Sequence, residues 1–232
     1  MTSKNTAEFN WDEQRLERTG IQEAVYCLHK SAGQIADILA YHQQQQSSTL
    51  LTRLSAAKVE QLPNHLSAAL DFNSSGQIAI FNAEFNQYPQ QQSDKDICIV
   101  TAGTSDMSLA YEAQVTLAFH GYKAQIISDV GVAGLHRLLN RIDDIRQYKL
   151  VIGIAGMEGA LFSVLAGLIK SPLIAVPSSV GYGVSAGGDS ALSSALASCS
   201  PGIVTVNIDN AFGAAVAAIK MISAFTHSAQ NS

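Results

Sequence analysis

The chain is short of the features that settle many functional classes outright. It has three cysteines in 232 residues, Cys27, Cys98 and Cys199, far apart and in no CxxC pair. An odd, scattered set excludes a disulfide framework and suits a reducing, cytoplasmic setting. Basic residues number 14 against 19 acidic, for a net charge of −5. A nucleic-acid face needs the opposite balance, so no nucleic acid is expected as partner. Apolar runs are broken by Gly, Ser, Lys or Pro before they reach the length of a membrane span, so no membrane is expected either. The polar start Met1-Thr-Ser-Lys-Asn-Thr6 does not read as a secretory signal. Neither GxGxxG nor GK[ST] occurs, which removes the dinucleotide fingerprint and the Walker loop. The histidines show no zinc-ligand spacing.

What is present is an apolar chain, 47% hydrophobic, with a change of texture near residue 90. Residues 1–85 read as a small α+β N-terminal module, 86–95 as a Gln-rich, Pro-containing linker, and 96–232 as an α/β domain. In the module, a helix is expected over 32–41, a short strand over 47–54 and a helix from Ser55 to about Leu66. Two strands, 68–72 and 78–82, are joined by the turn Asn73-Ser-Ser-Gly76. The run Gln43–Gln46 reads as a solvated helix end.

The second part alternates. Strands are expected over 97–100, 124–128, 150–155, 173–176 and 204–208. Helices are expected over 107–120, 135–145, 159–169, 189–198 and 211–224. Continuous apolar strands separated by helices indicate a parallel sheet covered on both faces, a three-layer α/β/α sandwich.

Four small-residue loops stand where apolar strands end: Thr101-Ala-Gly-Thr-Ser-Asp106, Ala155-Gly-Met-Glu-Gly159, Pro177-Ser-Ser-Val-Gly-Tyr-Gly183 and Asn207-Ile-Asp-Asn-Ala-Phe-Gly213. Ligands of open α/β sheets bind beyond the carboxyl ends of the strands, and small residues let them approach the backbone. Asp106 can cap the following helix or serve a ligand site. Glu158 can be a helix-start acid, a proton acceptor or a magnesium ligand. The loop from Pro177 through Gly188 is a lid, a phosphate cradle or a mobile surface loop. His136 and Arg137 open a helix, as an acid/base group with a phosphate ligand or as a surface pair. Cys27 and Cys98 read as inert core thiols. Cys199, in the polar turn Ala197-Ser-Cys-Ser-Pro-Gly202, is either inert or a nucleophile.

Taken together, these segments resemble the aminoimidazole ribonucleotide carboxylase superfamily, through Gly103-Thr-Ser-Asp106, Leu135-His-Arg137 and Ser171-Pro-Leu-Ile-Ala-Val-Pro177. Five segments are closer to its LarB branch: Thr101–Asp106, Asp129-Val-Gly-Val-Ala-Gly-Leu-His-Arg137, Ala155-Gly-Met-Glu-Gly-Ala160, Val176–Gly183 and Val206-Asn-Ile-Asp-Asn210. Arg18-Thr-Gly20 and Ala24-Val-Tyr26 are also similar to it, so the resemblance spans nearly the whole chain.

The resemblance implies a flavodoxin-like, PurE-like sandwich. It implies carboxylation of the pyridinium ring of nicotinic acid adenine dinucleotide with CO2 or bicarbonate. Together with hydrolysis of the phosphoanhydride, in an order the resemblance leaves open, this gives pyridinium-3,5-biscarboxylic acid mononucleotide and AMP for nickel-pincer nucleotide biosynthesis, the lactate racemase type of cofactor. Carried over residue by residue, Cys199 is the nucleophile and Asp106 and Glu158 are the acidic groups, one of them the ring base. Thr104, Ser105, His136, Ser178, Ser179, Gly181, Gly183, Asn207 and Asn210 form the substrate-binding set. Mg2+, held through Asp106 and Glu158, is expected as cofactor, without biotin or ATP. A cytoplasmic homo-oligomer, an octamer by resemblance, is the expected assembly. The alternatives are a purine-pathway aminoimidazole ribonucleotide carboxylase, which would need His136 and not Cys199, and a non-catalytic nucleotide-binding regulator.

Overall fold

The computed structural model describes residues 8–90 and 93–230. The chain divides into two compact units, Met1–Tyr88 and Pro89–Ser232.

The first unit runs α1 (Arg15–Thr19), β1 (Ala24–Tyr26), α2 (Ala32–Gln44), β2 (Thr49–Thr52), α3 (Ala56–Glu60), α4 (Asn64–Ser67), β3 (Leu70–Asn73) and β4 (Ile78–Phe81). Its four-stranded sheet has the order β1-β2-β4-β3, with β1 parallel to β2 and the other pairs antiparallel. Strand β1 is an addition to the sequence expectation, because three residues are too short a run to show alternation. Helix α2 starts at a capping box, Ser31 Oγ accepting from Gln34 N at 3.1 Å. It buries Ile35, Ile38 and Leu39 and ends at Gln44, with Gln43–Gln46 exposed. The single helix expected from Ser55 to Leu66 is instead two short ones. Pro63 lies between them, and its ring and missing N–H cannot continue a helix. Asn73 Oδ1 accepts from Gly76 N at 2.8 Å and closes the β3–β4 turn.

The second unit runs β5 (Ile97–Thr101), α5 (Met107–Phe119), β6 (Ala124–Ile127), α6 (Leu135–Leu139), α7 (Ile142–Ile145), β7 (Leu150–Ala155), α8 (Ala160–Leu168), β8 (Leu173–Pro177), α9 (Asp189–Leu196), β9 (Ile203–Thr205) and α10 (Ala211–Gln230). The strands form one five-stranded sheet in the order β6-β5-β7-β8-β9, all parallel. This is the flavodoxin-type order. Every residue of β5, β7 and β8 is buried, as strands covered on both faces must be. Helices α5 and α10 pack together on one face. One apolar cluster on the other face joins Leu138, Ile142 and Ile145 of α6 and α7 to Leu161, Phe162 and Leu165 of α8 and Ala195 of α9.

Two expected elements change. The helix over 135–145 is broken between Leu139 and Ile142. The strand over 204–208 is the shorter Ile203–Thr205, with Val206 N still donating to Ala175 O at 3.1 Å before the loop that leads to α10.

Candidate functional site

The order of the sheet decides where a pocket opens. Connections leave β5 and β7 toward opposite sides, and the crevice between their carboxyl ends is the switch point where such sheets bind ligands. A pocket of about 510 Å³ lies there, lined by the loops after β5, β6, β7 and β8, within the range of small-molecule sites. Its polar lining is Ser105, Asp106, Asp129, Arg137 and Glu158.

Asp106 is 3% exposed. It follows the buried strand β5, and its Oδ2 accepts from Gly103 N at 2.9 Å. Its Oδ1 is buried without a hydrogen-bond partner. Burial raises its pKa above the ordinary carboxylate value. The Gly103 N–H and the Ser178 hydroxyl pull it down, and the nearby Asp209 carboxylate pushes it up. Ser178 is itself fully buried, at the end of β8.

Close backbone approach shapes the pocket's far side. Gly156 follows β7, and a Cβ there would stand 2.0 Å from Val180 O, the oxygen that accepts from Met157 N at 2.9 Å. Only glycine lets the β7 and β8 loops close in this way. In this unit the non-glycine residues with positive φ among those described are Asp129 (+58°), Met157 (+52°) and Asp209 (+56°). Each stands on a loop just past a strand's carboxyl end. Strain of this kind gathers at functional sites. Asp209 is held by its own hydrogen bonds, N donating to Pro177 O and Oδ1 accepting from Ser179 N, both at 2.8 Å. Asp129 pairs with Arg137 at 2.5 Å across the turn before α6.

The structure thus brings Ser105, Asp106 and Glu158 into one pocket, with Ser178 beside Asp106 and Ser179 on Asp209. Thr104, Gly181, Gly183, Asn207 and Asn210 stand on the same carboxyl-edge loops without lining that pocket. Asn210 has a local task, its Oδ1 accepting from Gly213 N at 2.9 Å at the start of α10. His136 is exposed on α6, and its neighbour Arg137 is the one that lines the pocket. Sequence reading missed Asp129 and its pairing with Arg137. The signal was a carboxylate and a guanidinium eight residues apart across a glycine-containing turn, a spacing that has no meaning until the turn is built.

Cys199 is elsewhere. Helix α9 has eight residues and carries the chain about 12 Å away from the carboxyl edge, and Cys199 follows it, just before β9 begins. It is not among the residues that line the pocket with Asp106 and Glu158. Its turn is tied to α8, with Ser198 Oγ 2.7 Å from Ser163 Oγ and Ser200 Oγ donating to Ser163 O at 2.8 Å. The two serines face inward and Cys199 between them faces solvent. Cys27 and Cys98 are buried, and burial pushes both thiols up to about 12.

Gly183-Val-Ser-Ala-Gly187 spells the GxSxG string of a nucleophile elbow. An elbow needs the serine at a strand-to-helix turn. Here the string lies six residues beyond β8, in a loop with Val184 95% exposed, so it is not one. Among the described residues, no three of His, Cys, Asp and Glu are grouped to hold a metal ion, while Asp106 and Glu158 line one pocket. No described helix is long and apolar enough to cross a membrane.

Comparison with known proteins agrees with this architecture. Residues 96–232 match the AIR carboxylase family, and residues 4–83 match the LarB/PurE-like N-terminal domain. The chain is 35% identical over 213 residues to the uncharacterized protein MJ0165 of Methanocaldococcus jannaschii, covering 88% of this chain and 80% of that one. Among solved structures, it is similar to Treponema denticola PurE, at 25% identity and a TM-score of 0.44, over 56% of this chain and 80% of that one. A point variant of Treponema denticola PurE2 is similar at 20% identity and a TM-score of 0.42, over 58% of this chain and 94% of that one. The chain belongs to the AIR carboxylase family, in its LarB/PurE-like form that carries the additional N-terminal domain.

Proposed function

We propose that the protein carboxylates the pyridinium ring of nicotinic acid adenine dinucleotide and then hydrolyses its phosphoanhydride. The observation that carries this reading is the pairing, on one chain, of a LarB/PurE-like N-terminal domain with an AIR carboxylase domain that bears an exposed cysteine.

A pyridinium ring is electron-poor and does not attack CO2. Addition of the Cys199 thiolate to ring carbon 4 removes the positive charge and leaves an enamine, whose neighbouring carbon bonds to CO2. A carboxylate then takes the proton from that carbon, and the electron pair expels the thiolate and restores the aromatic cation. Water next splits the phosphoanhydride, releasing AMP and the biscarboxylated mononucleotide. Asp106 and Glu158 are the two candidates for the proton acceptor. The burial that raises Asp106 brings it nearer to the pH of the reaction, which suits a general base.

Charge in the pocket supports the same substrate. Asp129 is paired with Arg137, which leaves Asp106 and Glu158 as the carboxylates that can face a cationic ring. Magnesium, if bound, would be held by Asp106 and Glu158, which share the pocket, and would offset charge on the pyrophosphate. Cys199 does not line the pocket of its own chain, which supports a site shared by two copies, the thiol of one meeting the pocket of another. Leu196, 70% exposed, and Val204, 44% exposed on the edge strand β9, give the surroundings of Cys199 an apolar character suited to such a contact.

Incubation of the pure protein with nicotinic acid adenine dinucleotide, bicarbonate and magnesium, followed by mass spectrometry, tests the reading. AMP and a mononucleotide heavier by one carboxyl group are expected. An unchanged dinucleotide, in a preparation that carboxylates aminoimidazole ribonucleotide, would assign the protein to the purine pathway.

A further inference from the structure

The first unit contains a cavity that the proposed reaction does not use. It measures about 230 Å³, and Trp11, Glu13, Gln22, Tyr41, His42 and Tyr88 are among its lining residues. His42 is 1% exposed. Its Nδ1 lies 2.8 Å from Ser47 Oγ, whereas its Nε2 is buried with no hydrogen-bond partner. Buried polar atoms normally have a partner, and one that lacks it within the chain calls for another source. Burial pushes the imidazole down to about 4, so at neutral pH the ring is uncharged. One of its nitrogens then donates and the other accepts.

The rest of the wall narrows the ligand. Trp11 meets the His42 ring edge-on at 4.4 Å between centroids and Tyr41 does so at 5.4 Å, so the cavity is built from flat aromatic surfaces that favour a flat guest. Gln22, Gln45 and Gln87 line it as well. The Gln22 amide already donates to Ser48 O at 2.7 Å; Gln45 and Gln87 each carry a donor beside an acceptor, the pair that matches the N6/N7 edge of adenine. No described Lys or Arg lines the cavity; Asp12 on its wall is paired with Arg18 at 2.5 Å and Glu13 accepts from the Tyr41 hydroxyl, so the lining offers a phosphate no cation. Sites for drug-sized ligands begin near ~300 Å³, and 230 Å³ therefore suits a single ring system and not a dinucleotide.

We infer that this cavity binds an uncharged purine-type heterocycle, as the free base or an unphosphorylated nucleoside, with His42 Nε2 hydrogen-bonded to it. Trp11 is the only tryptophan in the chain, so its fluorescence reports on this cavity alone. Adenosine titrated into the full-length protein is expected to give a saturable change in Trp11 emission, with AMP binding more weakly. Emission that does not respond to adenine or adenosine up to their solubility limits overturns the inference, as does AMP binding as tightly as adenosine. Folded His42→Phe is expected to lose roughly tenfold in affinity, and unchanged affinity overturns the role of Nε2. Gln45→Leu, at the exposed C-terminus of α2, leaves the buried core intact. A weakening of about threefold is expected there, and an unaltered titration overturns the amide contact.

Discussion

Asp106 shows what burial does to one carboxyl group. Its Oδ1 has no partner, and burial raises its pKa. The folded protein therefore holds the proton to higher pH than the unfolded chain does. Ionisation favours unfolding, so stability falls as pH rises from the ordinary carboxylate value through the raised one. Asp106→Asn cannot ionise and keeps an oxygen for the Gly103 N–H. It is expected to be more stable than the parent at neutral pH by about 1 kcal/mol, equally stable in acid, and without turnover. Thermal melts at two pH values, with the product assay, check all three. A variant less stable than the parent at neutral pH would show that the carboxylate is better solvated than its burial indicates. The three cysteines teach the same lesson, since side-chain type says nothing of reactivity until burial separates Cys27 and Cys98 from Cys199.

Elements were legible in proportion to their length and apolar content. The buried strands β5, β7 and β8 are continuous apolar runs, and the sequence places them within a residue of where they stand. Short helices were less legible, because Pro63 and the pair Asn140–Arg141 interrupt stretches whose apolar spacing continues past the break. Loop packing was not legible at all. Nothing in Ala155-Gly-Met-Glu-Gly159 announces that Gly156 meets the Val180 carbonyl of the next loop. Gly156→Ala is expected to push the β7 and β8 loops apart, costing about 1–3 kcal/mol in stability and most of the activity. Denaturant unfolding beside the product assay would read both. Full activity in Gly156→Ala would mean that the pocket tolerates an open arrangement of the two loops.

Across the whole molecule, the decisive feature is that the exposed thiol lies outside the lining of the pocket that holds the buried carboxylate. If two chains build each site, Cys199→Ser and Asp106→Asn, each inactive alone, regain part of the parent turnover when unfolded together and refolded as a mixture. Some sites in the mixed assembly then combine an intact thiol with an intact carboxylate. No recovery in assemblies shown to contain both variants would place the thiol and the pocket of a single chain in contact through a rearrangement.

Composition, apolar periodicity and strand-end loops were enough to read an α/β sandwich with an N-terminal module and to single out Asp106 and Glu158 as candidates, because those signals are local along the chain, whereas the role proposed for Cys199 came from resemblance. The pairing of β1 with β2, the Asp129–Arg137 ion pair, the approach of Gly156 to Val180 and the separation of Cys199 from the pocket are contacts or distances between distant residues. They follow from strand order and packing, which bring remote parts of a chain together or hold near ones apart in ways that local spacing does not encode.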